Sequence, residues 1–206
     1  MTTRTIIGLY DSYEAASRTV RDLEAAHIPG ADISLVAHRS ENHVVTGVAT
    51  SGAAIGAEAG ASAGAAIGGA AGLLAGLGIL AIPGVGPVVA AGWLVATAAG
   101  AVAGAAAGGA TGGLIGSLTS AGVSKEHANF YAEGVRRGGA LVTARGEAGQ
   151  FAMAEAIMQR HGRVDPVTRE KAYRDSGWRE FNETSVPFTP ADVARERALY
   201  PSVPLI

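Results

Sequence analysis

The chain has 206 residues, of which 48% are hydrophobic but only 5% aromatic and 17% charged. This composition is too apolar for a disordered protein. The net charge of −2 argues against a protein that binds nucleic acid by neutralising phosphates. The absence of cysteine excludes disulfides, cysteine-ligated metal centres and thiol catalysis. The N-terminal residues lack a basic region followed by an apolar run, so we expect no signal peptide and a cytoplasmic protein.

Charge divides the chain into three parts. Between Val44 and Ser124 the only ionisable side chain is Glu58, whereas both flanking regions are charged like ordinary globular sequence. We therefore predict three units. They are a discontinuous domain of residues 1–43 and 123–167, an apolar insertion of residues 44–122, and a tail of residues 168–206.

The first half of the predicted domain has a strand–helix–strand pattern. Residues 3–10 have strand composition, and Asp11 or Ser12 is placed to cap a helix with apolar residues at three- and four-residue spacing. Residues 31–38 form the second predicted strand.

The second half repeats this pattern. After a helix capped by Ser124, strands are predicted at residues 140–145 and 163–167, with a helix at residues 149–161 between them. Neither half could bury a core alone. We therefore predict an α+β fold in which both halves build one four-stranded antiparallel sheet with helices on one face, a ferredoxin-like sandwich.

Glycine recurs at every fourth position through most of the insertion. This small-xxx-small spacing lets helix backbones pack closely, and a flexible linker would not keep such a phase. It predicts an antiparallel hairpin of two helices, at about residues 48–80 and 88–118, joined by a turn at residues 83–87. The glycines expected to mediate helix packing and oligomerisation are Gly52, Gly56, Gly60, Gly64, Gly68, Gly72, Gly76, Gly92, Gly100, Gly104, Gly108, Gly112 and Gly116.

This glycine zipper needs a partner surface. Each glycine inside a helix costs about 1 kcal/mol relative to alanine, and the stripe turns by about 40° every four residues, so one straight neighbour cannot cover it. We therefore predict burial in a homo-oligomer.

Membrane insertion remains an alternative, because Gly52 to Gly76 spans about 36 Å as a helix. The apolar tip from Ile79 to Val89 and the lack of a flanking Lys/Arg cluster argue against a complete span. A plain intramolecular hairpin is the third possibility.

The tail carries five of the eleven aromatic residues of the chain. Thr189, Pro190 and Asp192 have the spacing of an N-cap, a first helical residue and an acidic third residue, which predicts a short helix. We expect the tail to act as a strap, in cis or in trans, with aromatic anchors in apolar pockets. These predicted anchors are Tyr173, Trp178, Phe181, Phe188 and Tyr200.

No motif with catalytic chemistry is present. The five histidines have no metal-ligand spacing, and neither a phosphate-binding loop nor a nucleophile signature occurs. We therefore predict no catalytic, cofactor-binding or metal-binding residues, and a protein that is not an enzyme.

Residues 5–39 and 123–164 resemble the two halves of the bacterial general stress protein domain, also described as heat-induced stress protein. The best local match runs from Tyr131 to Arg145, and residues 173–200 are similar to tails on members that carry a glycine-zipper hairpin. The resemblance implies the fold and a bacterial stress context. It carries over no functional residues, because the family has no established activity.

We therefore expect a non-enzymatic stress-response protein that assembles with further copies of itself through the zipper hairpin. One alternative is a protein whose hairpin inserts into the lipid bilayer from the cytoplasmic side. Another is a sensory domain that binds a small ligand.

Overall fold

The computed structural model describes residues 4–39, 78–82, 84–94 and 113–200. Its strands are β1 (Arg4–Tyr10), β2 (Ile33–His38), β3 (Gly78–Ile82), β4 (Gly86–Gly92) and β5 (Ala140–Gly146). Its α-helices are α1 (Tyr13–Ala25), α2 (Leu114–Ser120), α3 (Lys125–Arg136), α4 (Phe151–Arg160), α5 (Pro166–Asp175) and α6 (Pro190–Ala198).

The five strands form one sheet in the order β1-β5-β2-β4-β3, with every neighbouring pair antiparallel. Strand β2 is central: Val36 lies opposite Leu141 of β5 on one side and opposite Ala90 of β4 on the other. The sheet therefore unites the two predicted halves and also takes two strands from the apolar insertion.

Those two strands correct the predicted helical hairpin. Residues 78–82 and 86–92 are strands rather than helix, and Gly84 and Val85 make the turn between them. The physical reason is local, because Ile79, Ile82, Val88 and Val89 are β-branched residues that favour strands and the prolines at 83 and 87 disfavour a helix. Helix α2 overlaps the end of the second predicted helix and continues to Ser120, whereas residues 48–77 and 95–112 of the predicted hairpin lie outside the described residues.

The predicted last strand is also wrong. Residues 163–167 make no strand, since Asp165 caps α5 and Pro166 is its first residue. Only one backbone hydrogen bond, from Val164 N–H to the Leu9 carbonyl at 2.8 Å, ties this segment to β1. The described residues thus form a mixed α/β fold with an antiparallel sheet. This sheet lacks the predicted strand beside β1 and instead has β4 and β3 beyond β2, so it is not the expected four-stranded ferredoxin-like sheet.

Helices cover both faces of the sheet, which corrects the prediction of a single helical layer. Helices α1 and α4 pack on one face, and α2, α3 and residues of the tail pack on the other. The reason lies in the strands, where consecutive residues such as Leu35 and Val36 are both apolar, so that both faces need cover. The large side chains on the α1/α4 face include Tyr10, Leu23, Leu35 and Met158, and those on the other face include Leu9, Val36, Leu118 and Phe130.

Candidate functional site: the docking site of the C-terminal tail

The tail folds back onto the α3 face of its own sheet. Tyr173, Trp178 and Phe181 are only 2%, 8% and 8% exposed there, within the apolar cluster that contains Phe130 of α3. The other two predicted anchors are half-buried beneath arginines, because the Arg136 guanidinium lies 4.4 Å from the Phe188 ring centre and that of Arg169 lies 3.6 Å from the Tyr200 ring centre. All five aromatic side chains thus contact residues of the same chain.

An ion pair fixes the beginning of the tail to the end of β1. Arg169 of α5 donates from its two terminal nitrogens to Oδ1 and Oδ2 of Asp11, at 2.6 and 3.0 Å. Burial alone would lower the pKa of Arg169, but its hydrogen bonds and proximity to the Asp11 carboxylate raise that pKa above its ordinary value. The arginine is therefore charged, and its planar fork matches the carboxylate.

A second charged cluster joins the end of the tail to α3. Glu133 is 1% exposed and accepts hydrogen bonds from Arg136 at 2.6 and 2.8 Å and from Arg137 at 2.7 Å. Arg137 also donates to Glu196 of α6 at 2.9 Å. Burial opposes the charge of Arg137, but Glu196 and Glu133 together raise its pKa. Two arginines and two glutamates thus neutralise one another where α6 meets α3.

Glycine makes room for α6 at the end of α3. Gly138 has a φ of +98°, and a Cβ atom at this position would collide with the side chain of Val193. The Gly138 carbonyl in turn accepts a hydrogen bond from Arg197 at 2.9 Å. The Arg-Arg-Gly-Gly sequence that ends α3 is therefore a contact surface for the tail.

A small cavity of about 10 Å³ lies between the tail and the sheet, lined by charged and tyrosine side chains including Asp11, Arg137, Arg169 and Tyr200. This volume has room for about one water molecule. Among residues 4–39, 78–82, 84–94 and 113–200, no group of three or more acidic or histidine side chains could hold a metal ion. The charged and aromatic side chains around this cavity can hold the tail by charge-assisted hydrogen bonds and aromatic stacking.

Two of the predicted zipper glycines lie in the described residues. Gly92 ends β4 with a φ of +95°, and a Cβ atom there would collide with the backbone of Ile33, so its role in a helix is corrected to one at the end of a strand. Gly116 lies in α2, where its carbonyl accepts a hydrogen bond from Thr119. The remaining eleven lie outside the described residues: Gly52, Gly56, Gly60, Gly64, Gly68, Gly72, Gly76, Gly100, Gly104, Gly108 and Gly112.

Sequence reasoning missed α5 and the ion pairs. The Asp165-Pro166 step is a usable signal for α5, because an N-cap aspartate followed by proline marks a helix start. The spacing of Glu133 from Arg136 and Arg137 also indicates local pairing. No local signal links Asp11 to Arg169.

Comparison with known proteins agrees with the resemblance noted in the sequence. Residues 5–84 match the family model of the heat-induced stress protein YflT domain. The matched region runs from β1 to the turn after β3 and covers less than half of the chain. Residues 5–84 are therefore similar to the heat-induced stress protein domain.

Searches of curated proteins and of solved structures gave no match. Within the part of the chain that the structure describes, no helix has the length and hydropathy needed to span a bilayer.

Proposed function

We propose that this protein is a non-enzymatic, cytoplasmic stress-response protein that assembles with further copies of itself through its glycine-rich segments. The stress-response role is suggested by the domain match at residues 5–84. The observation that carries the assembly proposal is the four-residue glycine phase, from Gly52 to Gly76 and again from Gly100 to Gly116.

The β3–β4 pair supports this proposal by joining the two segments at one place. Gly78 lies opposite Ala90 in neighbouring strands, which are about 4.8 Å apart in a sheet. The first glycine-rich segment thus enters, and the second leaves, at the open end of the strand pair, away from the turn at Gly84 and Val85. Because both segments connect to this end of the strand pair, they are well placed to pair side by side.

The residues that follow β4, ahead of the second segment, are anchored to the sheet. The Trp93 indole N–H donates to the Asp32 carbonyl at 3.2 Å, and the Arg145 guanidinium lies 4.4 Å from the Trp93 ring centre. Leu94 N–H donates to the Ser34 hydroxyl at 2.9 Å. This anchor fixes the place where the chain leaves the sheet, six residues before Gly100, which favours a defined assembly over random association.

The test replaces glycines at the centre of each segment by leucine, in the variant Gly64→Leu/Gly68→Leu/Gly104→Leu/Gly108→Leu. Leucine blocks close backbone approach, so we expect the assembly to dissociate to a smaller particle in light scattering of untagged protein. The matched control carries the same four leucines two residues further along, at Ala66, Ala70, Ala106 and Ala110, and should keep its size.

Unchanged size of the glycine variant would contradict the proposal, as would equal loss of assembly in the control. Recovery of the wild type only with membranes, with release by detergent but not by carbonate, would replace it by membrane insertion.

A further inference from the structure

The tail also covers the turn between β3 and β4. A Cβ atom on Gly84 would lie 2.6 Å from the Asn182 carbonyl oxygen and 2.7 Å from Cα of Glu183, and one on Gly86 would lie 2.8 Å from Cβ of Pro187. Real side chains do not fit at such distances. The two glycines of this turn thus admit the tail loop, residues 181–187, directly against the backbone of the insertion.

Phe181 ties this loop to both sides. Its ring is buried in the same apolar cluster as Val85 and Val88 of the insertion, and its Cζ would lie 3.0 Å from a Cβ at Gly84. Its backbone N–H donates to Oδ1 of Asn129 on α3 at 3.3 Å. The tail loop therefore bridges α3 and the β3–β4 strand pair.

In the part of the chain that the structure describes, the β3–β4 pair joins the rest of the sheet on one side only, through β4. Within the described residues β3 pairs only with β4, and β4 pairs with β2 over five residues, from Ser34 to His38. Parts of a native protein with few packing contacts open more readily than its core, and β3 is an edge strand with a single described neighbour. Contact between the tail loop and the turn can thus decide whether the β3–β4 pair stays in the sheet.

The sequence of the strand pair also fits a second arrangement. Gly84 and Gly92 lie 8 and 16 residues after Gly76, both multiples of four, so they continue the glycine phase of the flanking segments. No charged residue interrupts the stretch from Gly60 to Ser124. Because Pro83 and Pro87 interrupt any continuous helix through this stretch, the pair, once out of the sheet, would add its small, uncharged surface to the glycine-rich segments without becoming part of their helices.

We propose that the tail loop of residues 181–187 is a latch that holds the β3–β4 pair in the sheet. When residues 181–187 move away from the turn, the β3–β4 pair can leave the sheet and contact the glycine-rich segments, which promotes assembly. The second step rests on the proposed function, whereas the first is a property of the folded chain alone.

The test measures amide hydrogen exchange in the full-length variant Phe181→Ala. We expect the amides of Val88 to Ala91 to exchange roughly 10-fold faster or more, with β1 and β5 unchanged, because local opening sets exchange rates in native proteins. The control Val186→Ala changes the same loop at a side chain that is 82% exposed, and it should leave exchange unchanged. Light scattering at equal concentration should show more assembled protein for Phe181→Ala only.

Unchanged exchange in β4, or equal acceleration in β1 and β5, would overturn the latch. Phe181→Leu guards against general misfolding, because it keeps most of the apolar volume and should give a smaller increase confined to β4. Repeating the measurement in the four-leucine glycine variant separates the two proposals. Faster β4 exchange in that background upholds the latch even if self-assembly proves wrong.

Discussion

Arg169 and Asp11 form a two-pronged ion pair across 158 positions of sequence, with nitrogen–oxygen distances of 2.6 and 3.0 Å. Tyr200 lies against the same guanidinium, with 3.6 Å between the guanidinium carbon and the ring centre. One arginine near the start of the tail thus links the end of β1 to the last described residue. The tail is closed on the domain at both ends, which makes its docking measurable by single substitutions.

Asp11→Asn should loosen the tail. The substitution removes the carboxylate charge and one acceptor, and hydrogen bonds to charged groups contribute about 1.5–3 kcal/mol. We expect the free energy of unfolding to fall by about that amount and limited proteolysis to cut the tail faster. Arg195→Ala, at a side chain 78% exposed in the same tail, is the control and should change neither. Equal sensitivity of the two variants would contradict the role of Asp11.

Glu133→Gln should be among the more damaging charge substitutions. The side chain of Glu133 is 1% exposed, and its loss of charge leaves Arg136 and Arg137 without their shared carboxylate. Breaking a buried ion pair costs about 3–5 kcal/mol, so we expect the urea midpoint to fall accordingly. Lys171→Ala breaks an exposed pair with Asp175 and should cost less than about 1 kcal/mol. A Glu133→Gln midpoint close to that of the control would show that the cluster contributes little.

Gly92→Ala separates two roles of one glycine. Its φ of +95° and its close approach to the Ile33 backbone predict a stability loss of about 1–3 kcal/mol, since strained backbone conformations carry that cost. Thermal unfolding measures it. Gly149→Ala, at a site with no atom within 4 Å of the added Cβ, should be nearly neutral. Loss of assembly at full stability would instead return Gly92 to the glycine zipper.

Tyr10 predicts a stability change at alkaline pH. Burial raises the pKa of Tyr10 to about 12, from an ordinary value of 10.0, while hydrogen bonding lowers it by a smaller amount. The neutral phenol is thus favoured by folding, so its contribution is complete below pH 10 and is lost as the pH rises towards 12. At 1.36 kcal/mol per pKa unit, the loss is up to about 3 kcal/mol.

Chemical unfolding at pH 9 to 12 checks this prediction with Tyr10→Phe, which should flatten the decline. Burial also raises the pKa of Tyr173, so Tyr173→Phe should flatten it too, and the double variant more than either. Tyr13→Phe, at a half-buried residue, controls for the aromatic exchange. An unchanged slope in Tyr10→Phe would show that Tyr10 ionises without unfolding.

The sequence by itself determined where three of the helices start. Ser12, Ser124 and Thr189 cap α1, α3 and α6 through their side-chain oxygens, as the sequence predicted. At Thr189 the Asp192 carboxylate also accepts a hydrogen bond from the Thr189 backbone N–H. The hydrogen bonds from Thr189 lower the pKa of Asp192 to about 2. A cap needs only residues three positions apart, so it can be read locally. The pattern of the first two strands is equally local, and β1 and β2 lie within a few residues of their predicted bounds.

Only the tertiary structure decided how the apolar insertion is divided. Residues 78–92 combine a helical glycine phase with β-branched residues and prolines, and no charge marks which face is outside. Pairing of β4 with β2, together with cover from Phe181, resolves this conflict in favour of strands. The tail pairs likewise depend on residues that become neighbours only after folding, as Asp11 and Arg169 do. Long-range burial and charge pairing are properties of the packed chain, whereas caps and periodicity belong to short segments of it.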